Sequence, residues 1–450
     1  MADNHLIIGV SGMRGIVFDP LSPEVCARAA AAFAGVVGRG AVVVGRDTRP
    51  SGEILKMAVV SGLAAAGADV IDLGIVPTPT IQLAVEHHKA AGGIAVTASH
   101  NPAQWNALKL ISAAGTFLEK PDVEKVRGLF ESGPISYTRF DQAGGLREDG
   151  DAGRRHIESV LGLPYLNLGD LRSRRFKVAV DCINGAASVV IPELLQRLGC
   201  QVAAISCEPT GRFERNPEPV AENLKALGDL VRREGADIGF GFDPDGDRLA
   251  IVDERGEALG EDYTLAIVAD LVLATRKGPL VTNLSTSLAV EDVATRRGVP
   301  FARTPIGEIN VVAGMKRVGA VIGGEGNGGV ILPEIHYGRD ALVGVALTLE
   351  ALLESGASLS QMMSQHSKYV IVKQKIAFDN APDLGRITAA IQAAFAGARF
   401  NLEDGIRVDL DASWLHVRRS GTEPVVRLIA EARERAGALA LIEKARAAVQ

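Results

Sequence analysis

A chain of 450 residues is too long for one ordinary hydrophobic core and predicts about three or four domains. Aromatic residues are only 4% of the composition while aliphatic and small residues dominate, which suits helices packed on parallel sheets better than a β-sandwich. The formal net charge of -6, with no basic tract to neutralise phosphates along a duplex, argues against a nucleic-acid partner, although small anions could still bind through local arginines.

In chain order, the pattern from Ser22 alternates between helical and extended stretches: SPEVCARAAAAFAGVV, AVVVGRD, SGEILKMAVVSGLAAAG, ADVIDLG and GGIAVTAS. Ser22 with Pro23 at the first helical position, and Ser51 with Gly52 and Glu53, predict helix starts, and Gly67 predicts a stop. The same βαβ grammar restarts at FKVAVDCINGAASVVIPELLQRLGCQVAAIS and again at GPLVTNLSTSLAVEDVATRRGVPFARTPIG, so three α/β units in series are expected. From Tyr369 the pattern changes to YVIVKQKIAF, GIRVDLDASWLHVRRSGTEPVVRLIAEARE and a final helical segment, which predicts a small antiparallel sheet with helices.

Cys26, Cys182, Cys200 and Cys207 show no CxxC or other ligand spacing, so buried reduced thiols in a reducing compartment are expected. No leader-like segment opens the chain and no run approaches the roughly 20 apolar residues of a membrane span, which points to a soluble, cytoplasmic protein without a membrane partner.

Each α/β unit runs a strand of small residues into a polar loop. These loops are VTASHNPAQWNALK, GFDPDGDRLAIVDE and AVIGGEGNGGVILP, and ligands of α/β sheets tend to sit at such carboxyl ends, so all three are expected to converge on one cleft. In the second loop Asp243, Asp245 and Asp247 alternate along a turn, a spacing of hard oxygen ligands that suits Mg²⁺; a solvated acidic turn is the alternative. An EF-hand fails because Arg248 stands where that loop needs glycine and because the flanks read as strands. A haloacid-dehalogenase loop would want Thr or Val in place of Asp247. GGEGNGG fits GxGxxG literally, yet the following VILPE is strand-like, whereas a dinucleotide-binding glycine loop opens a helix. It reads either as a tight glycine turn or as a loop from which Glu325 and Asn327 address a polyhydroxyl ligand. RRSGTEPVVR groups Arg418, Ser420, Thr422 and Arg427 around a glycine, as a phosphate clamp or a salt-bridged hairpin. SGMRG with Arg14 and GRDTR with Arg46, Asp47 and Arg49 are further cationic loops, each read by itself as structural.

Ser99 lacks the surroundings of a hydrolase nucleophile, since no GxSxG elbow occurs and His100, adjacent in an extended segment, would point its side chain away. A serine that carries a phosphoryl group needs less: a divalent ion, neighbouring cations and a base for the hydroxyl. Lys109 is a candidate base, or else a surface lysine.

The ordered motifs TASHNP, DPDGDR, GEGNGG and RRSGTEP, supported by SGMRG, GRDTR and NPEP, resemble the α-D-phosphohexomutase family over essentially the whole chain. The resemblance implies an α/β fold of three related α/β domains with mixed sheets, at 1–150, 151–255 and 256–368. A fourth, α+β domain of TATA-binding-protein-like fold would follow at 369–450, the four surrounding a central cleft. It implies that Ser99 is phosphorylated, that Asp243, Asp245 and Asp247 hold Mg²⁺ with a phosphoserine oxygen, and that Glu325 and Asn327 grip sugar hydroxyls. Arg418, Ser420, Gly421 and Thr422 would hold the phosphate that is not transferred. Arg14, His100, Lys109 and Arg248 would assist phosphoryl or proton transfer, with Lys109 the foremost candidate for general base.

The activity so implied interconverts hexose 6-phosphate and hexose 1-phosphate through a hexose 1,6-bisphosphate, the partner being a small-molecule phosphosugar and the protein a monomer or homodimer. Asn327 stands where much of the family has serine, and Glu308 where mannose/glucose enzymes often have histidine. The GEGNGGVILPE and PIGEINVV loops look more like the archaeal-type phosphoglucosamine mutase group, and Glu308 could favour a cationic 2-amino group. Glucosamine phosphate is therefore the expected substrate, ahead of the mannose and glucose phosphates of phosphomannomutase/phosphoglucomutase. A metal-dependent sugar phosphatase is the alternative of another class, with a non-enzymatic sugar-phosphate sensor behind it.

Overall fold

The computed structural model describes residues 6–10, 12–378, 383–419 and 425–449. The chain forms two compact units, one of Met1–Thr264 with Gly328–Met362, the other of Leu265–Asn327 with Met363–Gln450. No helix among the described residues is long and apolar enough to cross a membrane.

The first unit begins with β1 (Ile7–Gly9), β2 (Gly12–Ile16), α1 (Pro23–Val37), β3 (Ala41–Arg46), α2 (Gly52–Ala65), β4 (Asp69–Ile75), α3 (Thr78–His87), β5 (Gly92–Val96), β6 (Trp105–Ser112), α4 (Lys120–Glu131) and β7 (Leu146–Glu148). Its seven-stranded sheet has the order β1-β2-β6-β5-β3-β4-β7. β3, β4, β5 and β7 run parallel while β2 and β6 are antiparallel, which makes the sheet mixed. Because side chains alternate across a strand, Val42 and Val44 enter the core beneath α1, α2 and α4, whereas Val43 enters the opposite core with Ile81 and Val85 of α3. Ser22 caps α1, its Oγ accepting from Val25 N at 3.3 Å. Ser51 makes no such side-chain cap on α2; its Oγ instead accepts from Asn106 Nδ2 at 3.0 Å.

The unit continues with α5 (Ala152–Leu161), α6 (Leu168–Arg174), β8 (Lys177–Asp181), α7 (Ile191–Arg197), β9 (Gln201–Ile205), α8 (Lys225–Glu234), β10 (Ile238–Phe242) and β11 (Leu249–Val252). Here the sheet order is β11-β10-β8-β9, parallel except for the β10–β11 hairpin. Leu227 and Val231 of α8 close its core with Ala179 and Val252.

α9 (Asp262–Thr275) leads into the second unit, where β12 (Leu280–Asn283), α10 (Leu288–Arg297), β13 (Phe301–Thr304), α11 (Glu308–Val318) and β14 (Ile322–Glu325) build a parallel sheet with β12 between β13 and β14. β15 (Gly329–Ile331), α12 (Ala341–Ser355) and all but the last residue of α13 (Leu359–Met363) follow and belong to the first unit. The C-terminal part contains β16 (Val370–Ala377), α14 (Leu384–Ala394), β17 (Arg399–Asn401), β18 (Ile406–Leu410), β19 (Ser413–Arg419), β20 (Val425–Ala432) and α15 (Arg435–Val449). Its sheet, β16-β20-β19-β18-β17, is antiparallel throughout.

One face of that sheet, carrying Val408, Leu415, Val417 and Leu428, packs on Ile391 and Ile442 of the two helices. The other face buries Arg407, Trp414, His416 and Glu431. These polar groups meet the β12–α10 loop: Ser285 Oγ lies 2.8 Å from His416 Nδ1, and Leu288 N donates to Glu431 Oε2 at 2.9 Å. The strands alternate as the sequence pattern implies, but their second face is sealed by hydrogen bonds rather than left to water.

Candidate active site

Ser99 follows β5 in a loop shaped by one buried arginine. Arg49 donates from Nη2 to the carbonyls of Ser99 at 2.6 Å and Asn101 at 2.7 Å, and from Nη1 to those of Pro102 at 2.8 Å and Trp105 at 3.0 Å. Its Nε donates to Asp47 Oδ2 at 3.0 Å, so all five guanidinium hydrogens have acceptors. Asp47 also accepts from Thr97 Oγ1 at 2.7 Å, and Thr97 Oγ1 accepts from Ser99 N at 3.0 Å. GRDTR is thus the frame of the serine loop, in keeping with a structural reading, though its purpose is visible only in three dimensions.

This frame holds Ser99 at φ 49°, in the left-handed region. The segment is therefore not extended at this point, and the argument that His100 must face away is corrected: Ser99 Oγ lies 3.4 Å from His100 Nδ1. His100 is nevertheless a weak proton acceptor. The Arg248 guanidinium, then burial, then Arg14 push its pKa down to about 2, leaving a neutral imidazole.

The DPDGDR loop joins β10 to the antiparallel β11, which confirms strand flanks and removes the EF-hand. Gly246, at φ 65°, supplies the left-handed residue of the turn. Thr78, at the start of α3, fixes the loop by donating from N to Asp245 O at 2.9 Å and from Oγ1 to Asp245 Oδ2 at 2.6 Å. Asp243, Asp245 and Asp247 are fully buried, and each contributes a carboxylate oxygen within 4.8 Å of the others. Ser99 Oγ donates to Asp243 Oδ2 at 2.8 Å. The serine loop and the acidic loop of two different sheets thus meet.

The cationic partners are Lys109 Nζ, 2.6 Å from Asp245 Oδ2 and 3.4 Å from Asp247 Oδ2, and Arg339 Nη2, 2.7 Å from Asp247 Oδ2. Arg248 lies 3.8 Å from Asp247 Oδ1 and 3.7 Å from Glu218 of the NPEP motif. Burial, reinforced by the charges of Asp245 and Asp247, raises the pKa of Asp243 well above the carboxylate range. Burial would raise Asp245 too, but the Lys109 ammonium wins and holds it below that range. Lys109 itself is opposed by burial and raised overall by Asp245 and Asp247, so it carries its proton. Arg14, on β2, has its pKa lowered by burial and by the Arg248 charge.

These residues fit a small divalent cation. Asp245 Oδ1 and Asp247 Oδ1 are buried without a hydrogen-bond partner among the described residues, and an acidic group driven to protonation in isolation is what a bound cation relieves. The donor set is all oxygen, as Mg²⁺ prefers.

In the second unit the glycine-rich loop leaves β14 without opening a helix, so the dinucleotide reading fails on context. Glu325 Oε1 accepts from Asn283 Nδ2 at 2.8 Å and from Gly307 N at 3.0 Å. Asn327 Oδ1 is buried with no partner among the described residues, and Glu308, next to Gly307, opens α11 and is buried. Asp404 joins this region to the C-terminal sheet, accepting from Ile306 N at 3.1 Å and pairing with Arg418 Nη2 at 3.2 Å. Arg427 stands directly opposite Arg418 on β19 and Lys375 on β16. Three cations in one cross-strand row repel unless an anion or a carboxylate intervenes, and Arg427 Nε is buried without a partner among the described residues. Ser420, Gly421 and Thr422 lie outside the described residues.

The structure therefore brings Ser99, His100, Lys109, Asp243, Asp245, Asp247 and Arg248 together in one unit. In the other unit it gathers Glu308 and Glu325, with Asp404 tying that region to the strand that bears Arg418. Sequence reasoning missed Arg339, Thr78, Asn283 and Asp404. Of these Arg339 had a signal: HYGRD places two charges immediately before the apolar α12, where Asp340 is the N-cap and Arg339 turns back to Asp247.

The chain is similar to known proteins over nearly its whole length. Descriptions of the Phosphoglucomutase/phosphomannomutase alpha/beta/alpha domains I, II and III match residues 5–134, 154–256 and 260–369, and that of the C-terminal domain matches 371–448. A Phosphoglucomutase/phosphomannomutase of Thermococcus kodakarensis is 39% identical over 95% of this chain and 94% of its own. A "Probable phosphoglucosamine mutase" of Methanopyrus kandleri is 36% identical over 94% and 93%. The crystal structure of a phosphoglucomutase/phosphomannomutase family protein from Burkholderia thailandensis superposes with a TM-score of 0.84 at 27% identity, covering 98% of this chain and 97% of that one. With four domains matched in order and the Ser99 and acidic loops joined, the chain belongs to the phosphoglucomutase/phosphomannomutase family, the phosphohexomutases.

Proposed function

We propose that this phosphohexomutase converts glucosamine 6-phosphate to glucosamine 1-phosphate through a phosphoserine at Ser99. The observation that carries the phosphoserine role is the contact of Ser99 Oγ with a buried three-carboxylate cluster, 2.8 Å from Asp243. In the forward direction the phosphoryl group leaves Ser99 for the sugar 1-hydroxyl, giving a 1,6-bisphosphate and the free serine hydroxyl. The 6-phosphoryl then passes to Ser99, so phosphate and protons balance over the cycle. Asp243, Asp245 and Asp247 would hold Mg²⁺, which supplies charge neutralisation to the phosphoryl group.

Arg14 and Arg248, whose charges act on His100 next to Ser99, and Lys109, paired with Asp245, bring positive charge to the cluster. Lys109, which carries its proton at rest and whose Nζ is held by Asp245, is the candidate donor of a proton to the Ser99 oxygen as the phosphoryl group leaves, and its acceptor on the return. The neutral His100 acts as a hydrogen-bond partner of Ser99. Glu325 and Asn327 read sugar hydroxyls, and Arg418, Arg427 and the 420–422 loop hold the phosphate at rest.

The amino sugar is favoured by Glu308, a buried carboxylate one residue from the amide that binds Glu325, and by the name of the Methanopyrus relative. A phosphoglucomutase/phosphomannomutase activity is the second reading, favoured by the name of the Thermococcus relative. Turnover of glucosamine, glucose and mannose 6-phosphates with the matching bisphosphate separates the two. Glucosamine should lead, and Glu308→Gln should lower its kcat/KM about 10-fold or more while sparing glucose. Equal rates on all three sugars refute the amino-sugar assignment. Release of free phosphate without 1-phosphate would overturn the mutase reading in favour of a phosphatase. Intact mass should show one phosphate that is lost in Ser99→Ala.

A further inference from the structure

The second sheet carries a thiol pair that the proposed reaction does not use. β8 and β9 are parallel neighbours with Asp181 opposite Ile205, and Cys182 and Cys207 follow those strand ends. Their sulfurs lie 3.4 Å apart although the residues are 25 positions apart in sequence. Cys182 is fully buried and Cys207 is partly exposed. The two loops are latched to each other: Glu208 N donates to Asn184 Oδ1 at 3.0 Å, Asn184 Nδ2 donates to Arg212 O at 3.0 Å, and Asn184 N donates to Ser206 O. Ile183, Asn184 and Ser206 all have positive φ, of 49°, 54° and 47°. Non-glycine residues rarely adopt that conformation, so the surroundings hold these loops in a specified geometry.

We propose that Cys182 and Cys207 are a redox-active dithiol that closes to a reversible intrachain disulfide by exchange with a small disulfide such as oxidised glutathione. The partly exposed Cys207 reacts first. Its thiolate attacks one sulfur of the oxidant, the oxidant's S–S bond breaks, and one thiolate leaves to take up a proton. Cys182 then loses its proton and attacks the Cys207 sulfur, expelling the second small thiol. Two protein thiols and one oxidant disulfide thus become one protein disulfide and two small thiols.

The electrostatics agree with this order. The contact with Cys182 lowers the pKa of Cys207, whereas the same contact and then burial raise that of Cys182. The sulfurs need to approach by only about 1.4 Å to reach a bond length of about 2.05 Å. The bond would brace the segment behind the acidic loop, because Ala186 N donates to Pro244 O at 2.8 Å and a Cβ on Gly185 would lie 2.7 Å from that same oxygen.

The test uses the full chain, exposed to oxidised glutathione, quenched in acid, alkylated in denaturant and mapped by mass spectrometry. The expected result is a linked 182–207 peptide, a mass loss of two hydrogens, full reversal by dithiothreitol, and a melting temperature higher by a few degrees in the oxidised form. Cys182→Ser should stop at one glutathione on Cys207, and Cys207→Ser should take up none at Cys182. Melting of both variants in reductant checks that they fold. A stable glutathione adduct on wild-type Cys207 with Cys182 still free, or reaction confined to Cys26 or Cys200, overturns the proposal. Because none of these readouts uses turnover, failure here is distinct from failure of the mutase assignment.

Discussion

Lys109 and Asp245 form a buried ion pair, with Nζ 2.6 Å from Oδ2, between a strand of the first sheet and the acidic loop of the second. Each charge depends on the other, since burial opposes both and their mutual attraction overrides it. Removing one partner of such a pair leaves the other uncompensated, at a typical cost of about 3–5 kcal/mol. Lys109→Met should therefore lower turnover by about 100-fold or more and destabilise the metal-free protein. Added Mg²⁺ should recover part of that stability, because the cation replaces the lost positive charge beside Asp245. Denaturant unfolding in EDTA and in Mg²⁺ measures both, and equal losses under the two conditions would contradict the arrangement.

The carboxylate cluster makes a second prediction. Asp243 is raised well above the usual range, by burial and then by Asp245 and Asp247, so without metal it is the member that binds a proton. Mg²⁺ must displace that proton, and the apparent affinity should fall as the pH is lowered through the raised pKa. Calorimetry in buffers of different ionisation enthalpy should register proton release on binding. Asp243→Asn mimics the protonated state: it should keep the metal-free fold, lose measurable Mg²⁺ binding and reduce turnover at least about 1,000-fold. An unchanged Mg²⁺ isotherm in that variant would remove Asp243 from the ligand set.

Arg49 gives a prediction about shape rather than charge. Its five donors fill acceptors on Asp47 and on four carbonyls of the Ser99 loop, a fork that an ammonium with three donors cannot reproduce. Arg49→Lys should leave at least two of these acceptors unsatisfied, cost about 2–4 kcal/mol and lower kcat, while Mg²⁺ affinity at the separate acidic loop is retained. Loss of Mg²⁺ binding together with kcat would show that the two loops are not independently built.

The depth to which the sequence is readable differs between these sites. The DPDGDR carboxylates are legible because three like charges at alternate positions of a strand-flanked turn have few inexpensive explanations. The antiparallel C-terminal sheet is legible from its alternation. What is hidden are partners supplied from elsewhere in the chain. Thr78 grips Asp245 from 167 positions away, Arg339 reaches Asp247 from 92, and Cys182 meets Cys207 only because β8 and β9 are neighbours. His100 shows the opposite failure: alternation along an extended strand is a sound rule, but Ser99 at φ 49° is not extended.

The last prediction concerns the seam behind the C-terminal sheet. His416 Nε2 lies 2.6 Å from Asp404 O, a carbonyl that can only accept, so Nε2 carries the proton and Nδ1 receives the Ser285 hydroxyl. Burial, outweighing the nearby Asp404 groups, lowers the pKa of His416 to about 4 from an ordinary 6.5. A lowered pKa means that the neutral form is favoured in the folded state, so its contribution is fully present above about pH 6.5 and is lost as the pH falls toward about 4. A difference of that size corresponds to at most about 3–4 kcal/mol. Glu431, raised by burial, titrates in the opposite sense and reduces the net slope. His416→Gln offers a neutral side chain that still hydrogen-bonds. The stability of that variant between pH 7 and pH 4.5 should decline less steeply than that of the wild type, by about 1–2 kcal/mol, as read from urea midpoints. Parallel pH profiles for the two proteins would place the acid-sensitive group outside this seam.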